Sequence, residues 1–239
     1  GPSGSDDLAI GNTAPEITSV VIDPDPATPA DELSCSWSFY DEDGDSDAST
    51  LEWSIDGTTV GTDSTLSGLF SVDDEVVCTV MAHDGEDSGS SDSASITISN
   101  TPPEVLEVVL SPSVVYTNDS LSATVETEDA EGDAVSVAYE WVVDGSVVAE
   151  TGATLDGVSW FDKDHEVYVV VTPDDGTDTG STLSSITVTV SNTPPEAPEI
   201  SIEPAEPLAT IDDLLCQVDV DSADDDGDSI SYTVSWEVD

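Results

Sequence analysis

Four aspartates stand at alternate positions in the segment FYDEDGDSD, residues 39–47, directly after a strongly apolar stretch. They are Asp41, Asp43, Asp45 and Asp47, with Gly44 in their midst. At an effective dielectric constant of about 20, two like charges about 4 Å apart repel each other by roughly 4 kcal/mol, so such a cluster needs a counter-charge. Calcium takes about six to eight oxygen ligands in irregular geometry, whereas magnesium demands a stricter octahedron. The segment therefore predicts a calcium-binding loop.

The D-x-D-G-D pattern of this loop returns twice in the chain. The copies are Asp129, Glu131 and Asp133, and then Asp224, Asp226 and Asp228. A glycine precedes the last acid of each copy, and glycine allows the sharp backbone turn that directs alternate carboxylates to one point. The alternative is a solvated acidic loop tip whose Asp-Gly pairs only form turns. The recurrence of the loop at corresponding places favours the metal site.

The overall charge points the same way. The chain carries 54 acidic side chains, one lysine and no arginine among 239 residues, a formal net charge of -53. Repulsion disfavours nucleic acid and other anionic partners, and cations are the natural counter-charge. The acidity has two interpretations, adaptation to salty surroundings or dedicated cation sites. No apolar run approaches the roughly 18 residues that a membrane-spanning helix needs, so no membrane insertion is expected in this segment.

Three copies of one module follow each other along the chain. SNTPPE occurs at 99–104 and 191–196, GNTAPE occurs at 11–16, and their asparagines lie 88 and 92 residues apart. A period of about 90 residues is that of a small domain rather than of a solenoid turn. The predicted division is 1–11 for an expression scar (GPSGS) and the last strand of a preceding module, 12–99 for module 1, 100–191 for module 2, and 192–239 for the N-terminal half of module 3.

Short alternating segments between turn residues predict β-strands in every module. In LSCSWSFYD, residues 33–41, the apolar side chains alternate on one face, and LEWSID, residues 51–56, runs into the hairpin signal Asp56-Gly57. No segment of helical period appears. About seven short strands in roughly 90 residues are typical of an immunoglobulin-like sandwich. The predicted fold class is all-β, with tandem immunoglobulin-like β-sandwich modules in a linear, rod-like array whose last module is incomplete.

The cysteines agree with this fold. Cys35 lies on the second strand, Trp53 on the third and Cys78 on the penultimate one, the order of an inter-sheet disulfide packed on a buried tryptophan. Module 2 has Ala123 and Val169 at the two cysteine positions, so both partners are lost together. A Cys35–Cys78 bridge is predicted, and the alternative is two free buried thiols. Cys216 corresponds to Cys35 and is expected to be unpaired.

The acidic segments of a module are expected to meet at one end of the sandwich. The repeated loop joins the second and third strands (the B–C loop), and the loop between the last two strands (the F–G loop) shares that end. The F–G loop is also acidic, which adds Asp84, Asp174 and Asp175 to the predicted metal ligands. The first strand begins at this end because it runs antiparallel to the second, so the NTPPE linker enters there. A calcium site is therefore expected where each module meets the preceding one.

The combination NTPPE…D-x-D-G-D…Y-x-W-x-x-DG resembles the tandem immunoglobulin-like, PKD-like and cadherin-like modules of large bacterial surface proteins. The resemblance implies calcium at the module junctions, which stiffens the array, and an extracellular, cell-surface location. The linker departs from the cadherin pattern because it lacks the acidic junction motif. Its paired prolines, Pro102-Pro103 and Pro194-Pro195, favour extended connections that are stiff without metal.

The predicted function is that of a structural repeat segment of a surface fibre or adhesin stalk, and not of an enzyme. The two histidines, His83 and His165, lie at non-equivalent positions with no nucleophile assigned to them. The alternative is a module pair that binds a glycan or protein ligand through the B–C and F–G loops in cell adhesion. The expected partners are neighbouring modules of the same chain and, for the incomplete module 3, another copy of the chain through strand exchange.

Overall fold

The computed structural model describes residues 11–208 and 211–237. Module 1 contains seven strands in this part of the chain, and its polypeptide forms two facing antiparallel sheets. The strands are β1 (Glu16–Asp23), β2 (Glu32–Tyr40), β3 (Thr50–Ile55), β4 (Thr58–Gly61), β5 (Thr65–Ser67), β6 (Glu75–His83) and β7 (Ser88–Thr97). One sheet has the order β1-β2-β5 and the other the order β4-β3-β6-β7. The predicted all-β, immunoglobulin-like sandwich is confirmed.

Alternation of apolar and polar residues places one face of each strand in the core. Leu33 and Cys35 of β2 are buried, and Trp37 and Phe39 pack against the same core. Opposite them lies Trp53 of β3, which is fully buried and pairs across the sheet with Cys78 of β6. The Trp53 indole N–H donates to the main-chain oxygen of Asp63 at 2.9 Å, which satisfies its only polar atom.

The predicted disulfide joins the two sheets of module 1. Cys35 and Cys78 are bonded, with their Cα atoms 6.4 Å apart and a separation of 43 positions in sequence. Both cysteines belong to the core around Trp53. The alternative of two free thiols is wrong, and Cys216 is free as predicted.

Module 2 repeats the strand order with shorter outer strands. Its elements are β8 (Glu104–Ser111), β9 (Ser120–Glu128), β10 (Ser136–Val143), β11 (Ser146–Val147), β12 (Thr154–Asp156), α1 (Gly157–Trp160), β13 (Glu166–Asp174), β14 (Leu183–Ser184) and β15 (Val188–Thr189). One sheet has the order β12-β9-β8, and in the other β11-β10-β13-β14 is joined by β15 on β13. Trp141 of β10 is fully buried and pairs with Val169 of β13.

Two features distinguish module 2 from module 1. A single helical turn, α1, follows β12, where the sequence was expected to contain no helix; Phe161 directly after it is buried in the core. The last strand is split into β14 and β15, and its register with β13 shifts by one residue between them. Such a bulge leaves a residue outside the ladder, and Ile186 in the interval is 76 % exposed.

The hairpin signals form the turns expected of them. Asp56-Gly57 joins β3 to β4, with φ of 49° and 76°, and Asp144-Gly145 joins β10 to β11, with φ of 49° and 74°. Positive φ at both central residues is the type I′ geometry that matches the twist of a hairpin. These turns fix the register of the strands that carry Trp53 and Trp141.

Module 3 contributes a two-stranded antiparallel sheet, β16 (Glu199–Glu203) and β17 (Leu215–Val220). The N-terminal half of a sandwich was predicted here, but the described residues 221–237 contain no strand after β17. In modules 1 and 2 the corresponding strand is held by pairing with β6 or β13, and no described strand pairs with this segment. Side chains that would be core residues are therefore exposed, such as Val234 and Trp236 at 53 % and 49 %.

The expected strand before module 1 lies outside the described residues. Among the residues that are described, no helix is long and apolar enough to cross a membrane.

Candidate cation-binding loops

The first acid of each D-x-D-G-D segment holds the loop in shape. The backbone N–H of Asp45 donates to Asp41 Oδ1 at 2.9 Å, and the corresponding bonds in the other loops are Asp133 to Asp129 at 2.8 Å and Asp228 to Asp224 at 3.1 Å. The glycine before the last acid has a positive φ in every copy, 84° at Gly44, 83° at Gly132 and 73° at Gly227. One local geometry, set by Asp and Gly, is thus repeated in the three loops.

The second acid of each loop receives a hydrogen bond from the linker threonine. The N–H of Thr13 donates to Asp43 Oδ2 at 2.6 Å, and the N–H of Thr193 donates to Asp226 Oδ2 at 2.5 Å. In the middle copy the Thr101 hydroxyl donates to Glu131 Oε1 at 2.9 Å. The threonine of the N-T-x-P-E motif therefore ties each linker to the loop that follows it. Sequence analysis did not single out this residue, although its recurrence next to Asn was visible.

In two of the three loops the acids lie close enough together to bind one metal ion. Asp41, Asp43 and Asp45 each offer an oxygen, and these atoms lie within 4.8 Å of one another; Asp224, Asp226 and Asp228 form a second such group. Asp129, Glu131 and Asp133 do not form one in the described chain. Glu131 is longer by one methylene, and both of its carboxylate oxygens face Thr101, at 2.9 Å from the hydroxyl and 3.4 Å from the N–H.

Each loop also buries a carboxylate oxygen that has no hydrogen-bond partner. These atoms are Asp41 Oδ2, Asp129 Oδ2 and Asp226 Oδ1. Leaving a buried charged acceptor unsatisfied costs more than leaving a neutral one unsatisfied. A cation is the ligand that an unpartnered carboxylate oxygen accepts without a donor hydrogen, and a purely oxygen donor set suits a hard ion such as calcium. The residues of the first and third loops therefore fit a calcium ion.

The acids of the F–G loop accept hydrogen bonds, chiefly from their own loop. Asp84 is buried, and its carboxylate accepts the Asn12 amide N–H at 2.8 Å and the backbone N–H groups of Glu86 and Asp87 at 2.7 Å. The bond from Asn12 and the backbone bonds lower the pKa of Asp84. Asp175 likewise accepts hydrogen bonds from two backbone N–H groups of its own loop. Asp174 accepts one from the Gly176 N–H and one from the Thr179 hydroxyl. These acids shape the F–G loop and lie outside the clustered groups.

In module 1 the three acidic segments converge as predicted. Asn12 donates to Asp84 and, at 3.1 Å, to Asp87 of the F–G loop, and its neighbour Thr13 donates to Asp43 of the B–C loop. The backbone N–H of Ala48, just after the B–C loop, donates to the His83 carbonyl at 2.8 Å. The start of the linker therefore connects both loops at one end of the sandwich.

Lys163, in the turn before β13, forms an ion pair with the third B–C loop. Its Nζ lies 2.8 Å and 2.6 Å from the two carboxylate oxygens of Asp228 and 3.2 Å from Asn192 Oδ1, and its side chain is 26 % exposed. Asp228 raises the pKa of Lys163. Beside it, the nearby Thr117 hydroxyl, the Thr193 N–H and the Lys163 charge lower the pKa of Asp226. The hydroxyl of Thr117 is buried and lacks a hydrogen bond of good geometry.

Comparison with known proteins identifies no family for this chain. No protein-family model matches the sequence, and no curated protein matches it. The chain is similar in structure to a segment of two fibronectin type-III domains from chicken tenascin, at 12% identity and a TM-score of 0.38 over 73% of this chain and 99% of that one.

Two further solved structures share this likeness. The three N-terminal domains of the outer capsid protein Hoc of bacteriophage RB49 align at 18% identity and a TM-score of 0.34, over 74% of this chain and 70% of that one. The FN1–FN3 domains of chicken CNTN1 align at 12% identity and a TM-score of 0.29, over 75% of this chain and 68% of that one. Function is therefore inferred from the chain's own geometry.

Proposed function

We propose that the chain is a structural repeat segment of a large extracellular bacterial surface fibre or adhesin stalk, in which calcium bound to the B–C loops secures the module junctions. The observation that carries the proposal is the threefold repeat of one arrangement. In each copy the linker threonine bonds the second acid of the loop, and the same loop buries a carboxylate oxygen without a partner. A repeated, unsatisfied acidic loop at the start of every module is what a cation-secured array requires.

The chain's own residues divide the work in such a loop. In the first loop, Asp41 uses Oδ1 to hold the turn and leaves Oδ2 for a cation, while Asp43 holds the linker through one oxygen. Asp45 completes the oxygen group. A bound calcium ion would supply positive charge that cancels the mutual repulsion of these acids. With that repulsion removed, the loop and the linker bonded to it are held in one geometry.

The extracellular location and the absence of catalysis belong to the same proposal. The Cys35–Cys78 bridge fits an oxidising environment, where structural disulfides persist. The histidines are used structurally: His83 Nδ1 accepts the Gly85 N–H at 2.7 Å, and His165 Nδ1 accepts the Asp162 N–H at 3.1 Å. We assign no reaction to either residue.

Calorimetric titration with calcium chloride in about 150 mM sodium chloride tests this function, because screening by that salt suppresses non-specific attraction to the surface charge. Calcium should bind with a dissociation constant of roughly 0.1–1 mM, as in extracellular modules. Asp43→Asn should abolish binding at the first loop. Asp25→Asn is the matched control, because it removes the same charge from an exposed residue elsewhere in module 1. Equal weakening by both variants would show that only net charge attracts the ion.

A second candidate function, glycan binding, is favoured by one groove of module 1. Trp37 lines it together with hydroxyl-bearing residues, in a space of about 490 Å³, and the Trp37 indole N–H donates to Asp47 at 2.9 Å. An aromatic ring beside hydroxyl groups suits a sugar ring. Module 2 has Val125 at the position of Trp37 and serves as an internal control. A shift of the Trp37 indole NMR signal with millimolar hexose, lost in Trp37→Ala, would favour this function, and no shift would exclude it.

A further inference from the structure

We infer that Lys163 is a built-in counter-ion that takes the place of calcium at the third B–C loop. The loop at Asp41–Asp45 would depend on the ion, whereas the loop at Asp224–Asp228 is already held by an ammonium group. The inference rests on the proposed function in one respect only, the affinity of the first loop for calcium. The structural role of Lys163 at the third loop stands on its own contacts.

The ammonium group of Lys163 lies between the linker and the third loop. Lys163 Nζ approaches both carboxylate oxygens of Asp228, at 2.6 Å and 2.8 Å, and also Asn192 Oδ1 of the linker. It therefore joins the linker to the third acid of the loop, in addition to the bond from Thr193 to the second acid. Among the described residues this is the only acidic loop of the three whose third acid receives a side-chain donor.

The second argument is a comparison within the chain. Lys163 is the only lysine of the sequence, which has no arginine, and Val72 occupies its position in module 1. The equivalence is supported by the backbone, since the next residues, Asp73 and Asp164, both have φ of 69° and donate to the main-chain oxygens of Ile98 and Val190, directly after the last strand of their modules. A valine can supply no charge. The two positions thus differ in the one property that matters for an acidic loop.

The consequence is a difference in calcium affinity between loops of the same design. To ligate calcium, Asp228 must release or share Lys163, and a divalent ion close to an ammonium group is repelled by it. We expect the third loop to bind calcium about tenfold more weakly than the first or less. In the absence of calcium, the third loop should be the most rigid of the three, because Lys163 still neutralises part of its charge.

A titration of the whole chain, labelled with ¹⁵N at glycine, resolves the loops individually. The amides of Gly44, Gly132 and Gly227 each report on their own loop, because each lies just before its last acid. In the wild-type chain, the Gly227 amide should shift at calcium concentrations about tenfold higher than the Gly44 amide. Lys163→Met, which keeps most of the length of the side chain and removes its charge, should bring the two curves together. In EDTA, Val72→Lys should slow amide exchange at Gly132.

Equal calcium affinity at Gly44 and Gly227 in the wild-type chain would overturn the inference. If none of the three amides shifts, the proposed calcium function fails, and the role of Lys163 is decided by amide exchange in EDTA. There, Lys163→Met should speed exchange at Gly227 and leave Gly44 unchanged. Unchanged exchange at Gly227 would mean that the ion pair does not hold the loop, which contradicts the inference whether or not calcium binds elsewhere.

Discussion

Modules 1 and 2 build the same sandwich around the same tryptophan and support it differently. Trp53 and Trp141 are both fully buried, and each indole N–H donates to a main-chain oxygen at 2.9 Å. The residue opposite the tryptophan is the bridged Cys78 in module 1 and Val169 in module 2. The conserved element is therefore the tryptophan and its strand pairing, whereas the covalent bridge is an addition that the sandwich of module 2 lacks.

The largest expected loss of stability comes from replacing the disulfide of module 1 by the residues that module 2 has at those positions. The variant Cys35→Ala/Cys78→Val places the residues found at Ala123 and Val169 into module 1. On the chain-entropy estimate, loss of a bridge that spans 43 residues lowers the free energy of unfolding by about 4 kcal/mol. Chemical denaturation followed by residue-resolved NMR measures this for each module.

Module 2 is the control for that experiment, because it has no bridge to lose. Its unfolding should be the same in the variant, and a reducing agent should leave it unchanged. A loss below about 1 kcal/mol in module 1 would mean that the valine packs well enough to replace the bridge, and that the two supports are equivalent.

A smaller loss of stability, of similar size in both modules, is expected from substitutions at a feature that the two modules share. A Cβ at Gly89 of β7 would overlap the main-chain oxygen of Pro15, and one at Gly180, shortly before β14, would overlap that of Pro103. In both modules the chain passes close to the segment before the first strand. Gly89→Ala and Gly180→Ala should each lower the free energy of unfolding by about 1–3 kcal/mol through overpacking. Gly61→Ala is the control, since open space surrounds that position. An equal change in the free energy of unfolding for Gly89→Ala and Gly61→Ala would show that the last strand does not approach Pro15 closely.

The smallest expected effect depends on pH. Because its hydrogen bonds lower the pKa of Asp84 in the folded state, the carboxylate stabilises module 1 above the unfolded pKa of about 3.9. That stabilisation is lost as the pH falls through the lower folded value. Asp84→Asn should therefore reduce the melting temperature at pH 7, and this difference should disappear as the pH falls through the folded pKa. Asp25→Asn should show no such pH dependence, and a constant Asp84→Asn effect from pH 2 to 7 would contradict the assignment.

Local patterns predicted the strands because a strand needs only alternation and a turn. Residues 33–41 alternate along β2, and Asp56-Gly57 forms the turn after β3, as their types require. The helical turn α1 could not be predicted in this way, since it depends on how Phe161 enters the core. The missing third strand of module 3 has the same cause, because a strand also needs a partner that no local pattern reveals.

In the candidate site, too, local features could be predicted from the sequence and long-range contacts could not. The turn made by Asp41 and Gly44 is local, and the sequence predicted its position from spacing alone. The contact between Lys163 and Asp228 joins residues 65 positions apart and could not be read from either motif. The structural use of Asp84 was missed because a buried carboxylate and an exposed one look the same in a sequence.

Thermal unfolding with calcium and with sodium at matched ionic strength tests the central claim most directly. The account predicts that about 10 mM calcium chloride stabilises the chain by roughly 1–3 kcal/mol per occupied loop, and that about 30 mM sodium chloride in its place does so far less. The effect should fall in Asp43→Asn and persist in Asp25→Asn. Equal stabilisation by the two salts would contradict the account, because it would show that the acidic loops respond only to general screening of the charge.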